Sequence, residues 1–551
     1  MNVRLVGSCL LAALTACGDT ASSGATGGTV IMAAPSAWTP GPPPLVADQL
    51  GRVVSDQLYD RLAEIGPGLN TIGDAGFQPR LAERWSWSTD SLAVTFSINP
   101  RARWHDGRPV RASDVRFTFA LYKDPKIGSG ATALLTNIDS VTVKDSLNAV
   151  AWFHRRTPEQ FYELVYQTQI MPEHIWASVS RDQLANSEAA RAPIGSGRFR
   201  FARFEPGVRL ELIADTANYR GRARLDRVMW TLVPDANTAV TQLLTGQADM
   251  LEFLPPDVVS RVDSTPTLRT LKFDGILFAY LGFNVNDPRR LTSPHPVLGD
   301  RQVRRALSMA LDRAAMLSNV YGALGTLGVG PYPTGLGDTA VKLLPFDRAR
   351  AGALLDSAGW TMTSSGVRAK AGKPLAFSVL VPASSRPRMR YAVLIQEQLK
   401  GIGANVTLET MEFGAFLERQ GTWKFDAAVM ATGYDPSLST VKQVWSSAGI
   451  GPGGQNFTRY SNRTFDAMLD SALMVWDPGQ SRAIARRAYQ ALVDDAPAVW
   501  LYDVLTIAGM HKRIHPSGLR VDGWWANLPD WWIAPDERLE RDRVGLRPAS
   551  P

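Results

Sequence analysis

The segment from Phe377 to Leu408 constrains the fold more than any other. Phe377, Val379 and Val381 alternate, Tyr391, Leu394, Ile395, Leu399 and Ile402 recur at helical spacing, and Val406 and Leu408 alternate again. A period of two, then 3.6, then two reads as strand, helix, strand. Strands joined through a helix run parallel, with a right-handed crossover that places the helix on the sheet. Part of the chain is therefore an α/β unit with a parallel sheet. At 551 residues and 45% hydrophobic composition, the chain can bury several cores, and two or three lobes are expected.

Other stretches carry readable elements. Leu92, Val94, Phe96 and Ile98 alternate with Ala93, Thr95 and Ser97, which predicts a strand with one buried face, ended by Pro100. Trp104-His105-Asp106-Gly107 follows as a tight turn, and Ser113 or a neighbour caps a helix carrying Val115, Phe119 and Leu121. Asp300 is the expected N-cap of a helix whose Val303, Ala306, Leu307, Ala310 and Leu311 share one face. A further helix is predicted from Phe346 to Ala358, stopped by Gly359 in the left-handed position. Past the N-terminal segment the longest apolar stretch, Ile276 to Phe283, has the length of a strand and not of a membrane span.

At the N-terminus Arg4 precedes an apolar stretch, Leu5 to Leu14, too short to cross a bilayer and ending in small residues. Residues 1–16 read as an export signal. Leu14-Thr15-Ala16-Cys17 looks like the lipobox of bacterial lipoproteins, which makes Cys17 the expected lipidation site. Residues 17–28 are mostly small and read as a flexible tether. The chain has two cysteines, Cys9 and Cys17, so the body beyond them can hold no disulfide, cysteine metal site or cysteine nucleophile. The formal charge of +7 is small for this length and is spread among acids. No clustered basic stripe or nucleic-acid module is present, so nucleic acid is not an expected partner.

Several motifs in the same order resemble the extracellular solute-binding proteins that serve peptide, dipeptide and nickel ABC importers. Leu81-Ala82-Glu83-Arg84-Trp85, Val94-Thr95-Phe96, Trp104-His105-Asp106-Gly107-Arg108-Pro109-Val110 and Ala112-Ser113-Asp114-Val115 are similar to that family's most specific signature. Pro193-Ile194-Gly195-Ser196-Gly197, Asn218-Tyr219-Arg220-Gly221 and Leu244-Thr245-Gly246-Gln247-Ala248-Asp249 are similar to its return into the first lobe. Leu281-Gly282-Phe283-Asn284, the run Val303 to Arg313, Asn456-Phe457 with Tyr460-Ser461-Asn462, and Asp494-Asp495-Ala496-Pro497-Ala498 continue the order.

The resemblance implies an α/β, two-lobed periplasmic-binding-protein fold with an extra inserted domain and strands crossing between the lobes. The expected division is lobe I from 29–60, 190–270 and 505–540, an inserted domain from 61–189, and lobe II from 271–504. It implies a non-catalytic, extracytoplasmic receptor, monomeric and without a cofactor or metal, that encloses short peptides between its lobes and delivers them to an ABC permease. The alternative ligand is a sugar, an opine or a chelated metal. In relatives that bind free peptides, an Asp within a Trp-x-x-Asp-Tyr-x-Asp-Pro-like segment receives the peptide's ammonium group. Here that stretch is Ala431-Thr432-Gly433-Tyr434-Asp435-Pro436, with the Trp missing and Thr432 in the place of the first Asp. Asp435 is then either the counter-ion, through a gap, or a turn residue before Pro436. Tyr280, Tyr434, Trp445 and Asn284 join Thr432 and Asp435 as candidate ligand-binding residues, and the tail aromatics Trp524, Trp525, Trp531 and Trp532 are further candidates for a cleft wall.

Other motifs lead nowhere. Gly449 to Gly454 spells GxGxxG, but no strand precedes it and Pro452 suits a loop. Gly366 to Lys373 has one residue too many for a phosphate loop, and Pro374 stands where Ser or Thr is needed. His511 and His515 lack the intervening Glu of a zinc protease. Ser196 sits in no nucleophile elbow, so a secreted hydrolase, the rival class, has no local support.

Overall fold

The structure of the protein, a computed structural model, describes residues 26–46, 48–132, 134–337, 341–451 and 454–543. The expected signal of residues 1–16, Cys17 and most of the tether lie outside the described residues. Among the described residues no helix is long and apolar enough to cross a membrane.

Two long antiparallel strands, Leu268–Phe283 and Ala498–His511, form the spine of the molecule. Their pairing runs from Leu268 opposite His511 to Gly282 opposite Ala498, with two shifts in register, a smaller one between Ala279 and Tyr280 and a larger break where Phe273 faces Thr506 but the next pair is Leu277 with Val504. Asp274, Gly275 and Ile276 thus stand against Leu505 alone. Such an irregularity bends a ribbon locally, and it separates the two ends of one continuous sheet.

On one side of the break, the sheet extends through Met250–Leu251, Thr29–Ala34, Arg227–Leu232, Arg209–Ala214 and Phe199–Glu205. On the other it extends through Ala427–Gly433, Ala376–Pro382 and Asn405–Met411. The last two strands are parallel, with Phe377 opposite Val406 and Val379 opposite Leu408, and helix Arg386–Lys400 connects them. This is the crossover unit read from the alternation of residues 377–408.

Each part has its own apolar core. One gathers Val30, Val53, Phe199, Leu212, Trp230, Met510 and Trp531 around the first half of the sheet. Two more cover the opposite faces of the second half, one around Leu281, Leu307, Val379 and Ile395, the other around Tyr280, Met430, Trp445 and Leu492. A separate core, with Val94, Phe96, Val115, Phe119 and Phe161, belongs to an inserted domain built on a four-stranded antiparallel sheet. The fold is two-lobed α/β with an inserted domain.

Local signals resolve as physics requires. Helix Ala112–Tyr122 starts after Arg111, whose backbone N–H donates to the Asp114 carboxylate at 2.8 Å, so Asp114 and not Ser113 ties down the helix start. Asp300 caps Arg301–Met309 by accepting from Gln302 N at 2.8 Å. The helix expected from Phe346 begins at Arg348, because the Asp347 side chain accepts from Arg350 N at 2.9 Å and caps it there; Gly359 follows its end at φ +84°.

Candidate functional site

The seam between the second lobe and the inserted domain centres on the turn after strand Ala427–Gly433. Tyr434 anchors this turn. Its ring is fully buried, meets Phe278 edge-on with centroids 5.1 Å apart, and its hydroxyl accepts a hydrogen bond from Trp445 Nε1. Asp435 follows with its carboxylate turned toward the inserted domain, where Gln167 Nε2 donates to Oδ2 at 2.5 Å. Two residues on, Ser437 caps helix Leu438–Trp445 and donates to Glu159 Oε2 at 2.5 Å. The other Glu159 oxygen accepts from Thr71 Oγ1 at 2.5 Å.

Burial pushes the Asp435 carboxyl above its ordinary value; the Arg52 and Arg61 cations and the Gln167 amide pull it back, and the Asp522 carboxylate pushes it further up. Arg52 lies on helix Gln49–Leu58 of the first lobe, and Asp522 lies in the tail beyond strand Ala498–His511. Asp435 therefore feels groups from the first lobe, the inserted domain and the tail at once. Tyr162 and Tyr166, their rings stacked at 4.6 Å, stand on the inserted-domain side, and the Asp435 charge helps raise both phenols beyond the effect of burial.

Beside this seam lies a cavity of about 80 Å³, lined by Asp60, Arg61, Tyr166, Arg220, Asp522 and Trp525 among others. Its charges pair with one another: Arg220 with Asp60, Arg61 with Asp56 at 2.8 Å, and Arg520 with Asp522 at 2.7 Å. Trp525 Nε1 donates to Asp56 Oδ2 at 2.8 Å, which fixes the indole as a wall. The closed structure leaves there a polar space with an aromatic wall, room for a few water-sized groups.

The six residues expected to bind ligand are placed differently from one another. Asp435 is at the seam. Thr432, partly exposed, closes strand Ala427–Gly433 opposite Phe278 near the register break, beside Leu277, which is 42% exposed. Tyr434, Tyr280 and Trp445 are packed inside the second lobe, where Tyr280 and Trp445 stand 5.3 Å apart and none exposes more than 1%. An aromatic with the Tyr434 hydroxyl as its indole partner fills the core and holds the turn, so these three support Asp435 from behind. Asn284 is fully buried and its amide donates to Trp423 O at 3.1 Å and Phe425 O at 3.0 Å, so its donors are spent on backbone. Of the tail aromatics, Trp524 and Trp531 are core, Trp532 stacks on His515 at 4.0 Å, and Trp525 alone of the four lines the cavity.

The groups that meet Asp435 were not legible in the sequence. Gln167 and Arg52 lie far from it along the chain and in no motif, as does Glu159, which meets Ser437 two residues on; only folding brings them together.

A family description, bacterial extracellular solute-binding proteins, family 5, matches residues 76–452, more than half of the chain. The chain belongs to this family. Among curated proteins, the family-5 chain is 28% identical to the oligopeptide-binding protein AppA of Bacillus subtilis over 503 residues, covering 88% of each. It shares its fold with the structure of AppA from Bacillus subtilis in complex with a nonapeptide, at a TM-score of 0.76 and 24% identity, covering 93% of this chain and 99% of that one. The structure of NikZ from Campylobacter jejuni in complex with Ni(L-His) superposes at a TM-score of 0.75 and 20% identity, with 92% and 99% covered. The periplasmic-binding-protein architecture of this family-5 protein thus follows from both its sequence and its shape.

Proposed function

We propose that the chain is the binding component of an ABC importer, held outside the cytoplasm by a lipid on Cys17, and that it captures short peptides between its lobes and presents them to a membrane permease. In this reading lobe I comprises 29–60, 190–270 and 505–540, lobe II 271–504, and 61–189 is the insert. The protein acts as a monomer and does no chemistry on its guest. The observation that carries the reading is Asp435: an acid at the seam, pushed up by burial and answered on its Oδ2 side only by a neutral amide. A half-buried carboxylate at such a seam, hydrogen-bonded by a neutral amide, can take a cation in its place, and the free end of a peptide supplies one. In this reading Thr432, three residues earlier in the chain, and Leu277, opposite Gly433, meet the guest's backbone and side chains.

The register break at residues 273–277 supplies the bend about which the lobes close. A guest touching both lobes stabilises the closed form by the difference in its contacts with the two forms.

The second reading, a non-peptide solute such as a sugar, an opine or a chelated metal, is favoured by Thr432, which leaves one acid fewer than the peptide-binding pattern has. Among the described residues no group of three or more His, Cys, Asp or Glu is placed to hold a metal ion, so a metal guest would have to arrive inside its own chelator.

Native mass spectrometry of the purified protein, followed by thermal-shift assays with peptide libraries, tests the reading. A peptide present at one hundred times its Kd should add about 2.7 kcal/mol of apparent stability. A shift with a sugar, opine or chelate and with no peptide rejects the peptide assignment.

A further inference from the structure

Three contacts tie the inserted domain to the second lobe. Gln167 Nε2 donates to Asp435 Oδ2 at 2.5 Å. Glu159, only 5% exposed, accepts from Ser437 Oγ at 2.5 Å, at the start of helix Leu438–Trp445. The Arg156 guanidinium lies over the Trp476 ring, 4.4 Å from its centroid. The first two fall on residues of one turn, Asp435 and Ser437, two positions apart. Thr71 braces Glu159 from its own domain, and Tyr434, locked by Trp445, braces Asp435 from the other. Every group in this set belongs to the protein, so closure through them needs no guest.

The chemistry of the first contact is specific. An amide N–H on a carboxylate oxygen imitates an ammonium group with a weaker donor: a charged donor forms the shorter and stronger bond to a carboxylate. A guest with a cationic end can displace the amide and gain by it. A guest with a neutral end gives up one neutral hydrogen bond for another, or for none.

We propose that Glu159, Gln167 and Arg156 form a clasp that closes the second lobe onto the inserted domain by protein groups alone, and that Gln167 is a stand-in for the guest, seated where its cationic end binds. The clasp stands on the contacts themselves; the role of Gln167 as a stand-in rests on Asp435 being the guest's counter-ion, as proposed above.

Small-angle X-ray scattering on the protein refolded to strip any guest tests the clasp. The wild type should scatter as the closed structure does, and Gln167→Ala combined with Ser437→Ala should give a larger radius of gyration. A wild type as open as the double variant, or a double variant as closed as the wild type, overturns the clasp. Titration calorimetry with trialanine and N-acetyl-trialanine tests the stand-in. In Gln167→Ala trialanine should bind at least threefold more tightly, because its ammonium group no longer has an amide to displace from Asp435. Unchanged or weaker binding of trialanine makes Gln167 a plain closure contact and overturns its role as a stand-in. If neither peptide binds either protein, the peptide reading and the stand-in fail together, while the scattering result still decides the clasp.

Discussion

Arg513 Nε donates to Asp249 Oδ1 at 2.9 Å with both side chains almost wholly out of solvent, at 2% and 0% exposure. Asp249 closes the Leu244–Asp249 motif, and Arg513 follows the long strand Ala498–His511. The same carboxylate accepts from Ile31 N at 2.9 Å and Arg541 Nη2 at 2.6 Å, while Arg513 also reaches Asp542 at 2.7 Å. One acid therefore joins the first strand, the return segment and the tail. Removing one member of a buried charged network leaves the others unpaired, which costs about 3–5 kcal/mol. Asp249→Ala should lower the urea midpoint of the first lobe accordingly. Replacing Asp249 and Arg513 together by apolar residues should cost less than the two single changes added, as a thermodynamic cycle will show.

A pH dependence of stability is expected from Glu252. Its carboxylate accepts from Trp524 Nε1 at 2.7 Å and Gln49 Nε2 at 2.5 Å, yet burial pushes the group up to about 7 from its ordinary 4.5. Between those two values the folded chain holds a proton that the unfolded chain has released. Stability from this group is complete below about 4.5 and is lost as pH rises through about 7. Glu163 behaves alike, raised to about 7 by burial and by the charge of Glu159. Melting curves from pH 4 to 8 should show a falling midpoint, and Glu252→Gln should flatten part of the fall while leaving the acid end unchanged. A slope identical to wild type would remove Glu252 as a cause.

Gly195 and Gly197 in the Pro193–Gly197 motif are required by backbone approach. A Cβ on Gly195 would sit 1.9 Å from Leu58 O, and one on Gly197 2.1 Å from Gln57 O. Both neighbouring amides use that approach, with Ser196 N and Gly197 N donating to Leu58 O at 2.9 and 2.8 Å. His105 joins the motif, accepting from Gly195 N at Nδ1 and donating from Nε2 to Gly197 O. Gly195→Ala should cost at least about 3 kcal/mol by steric strain, read as a lower thermal midpoint. Ser196→Ala, which removes a 3.2 Å bond to Asp60 N, should cost less.

The fold was legible wherever a local rule controls the backbone. The alternation at 377–381 and 406–408 fixed a parallel pair because a strand with the wrong period would turn its apolar side chains to water. Asp300 and Gly359 marked helix ends for the same local reason. The site was legible only in part. Asp435 came from comparison with a motif, but Gln167, which meets it, and Glu159, which meets Ser437, carry no periodicity and no spacing, and their roles arise from contacts hundreds of residues apart in the chain. Aromatic residues misdirect in the other direction: a large ring suits a core as well as a cleft, and Tyr280, Tyr434 and Trp445 fill the core behind the turn.

The central claim is that Asp435 holds the cationic end of a guest, and titration calorimetry on wild type and Asp435→Asn with trialanine and its N-acetyl form tests it most directly. Asp435→Asn should weaken trialanine by at least about tenfold, or ~1.4 kcal/mol, and leave the acetylated peptide within about threefold. Wild-type affinity for trialanine should also fall on acidification, as the raised Asp435 carboxyl takes up its proton. Equal affinities of wild type and Asp435→Asn for trialanine at neutral pH would contradict the account.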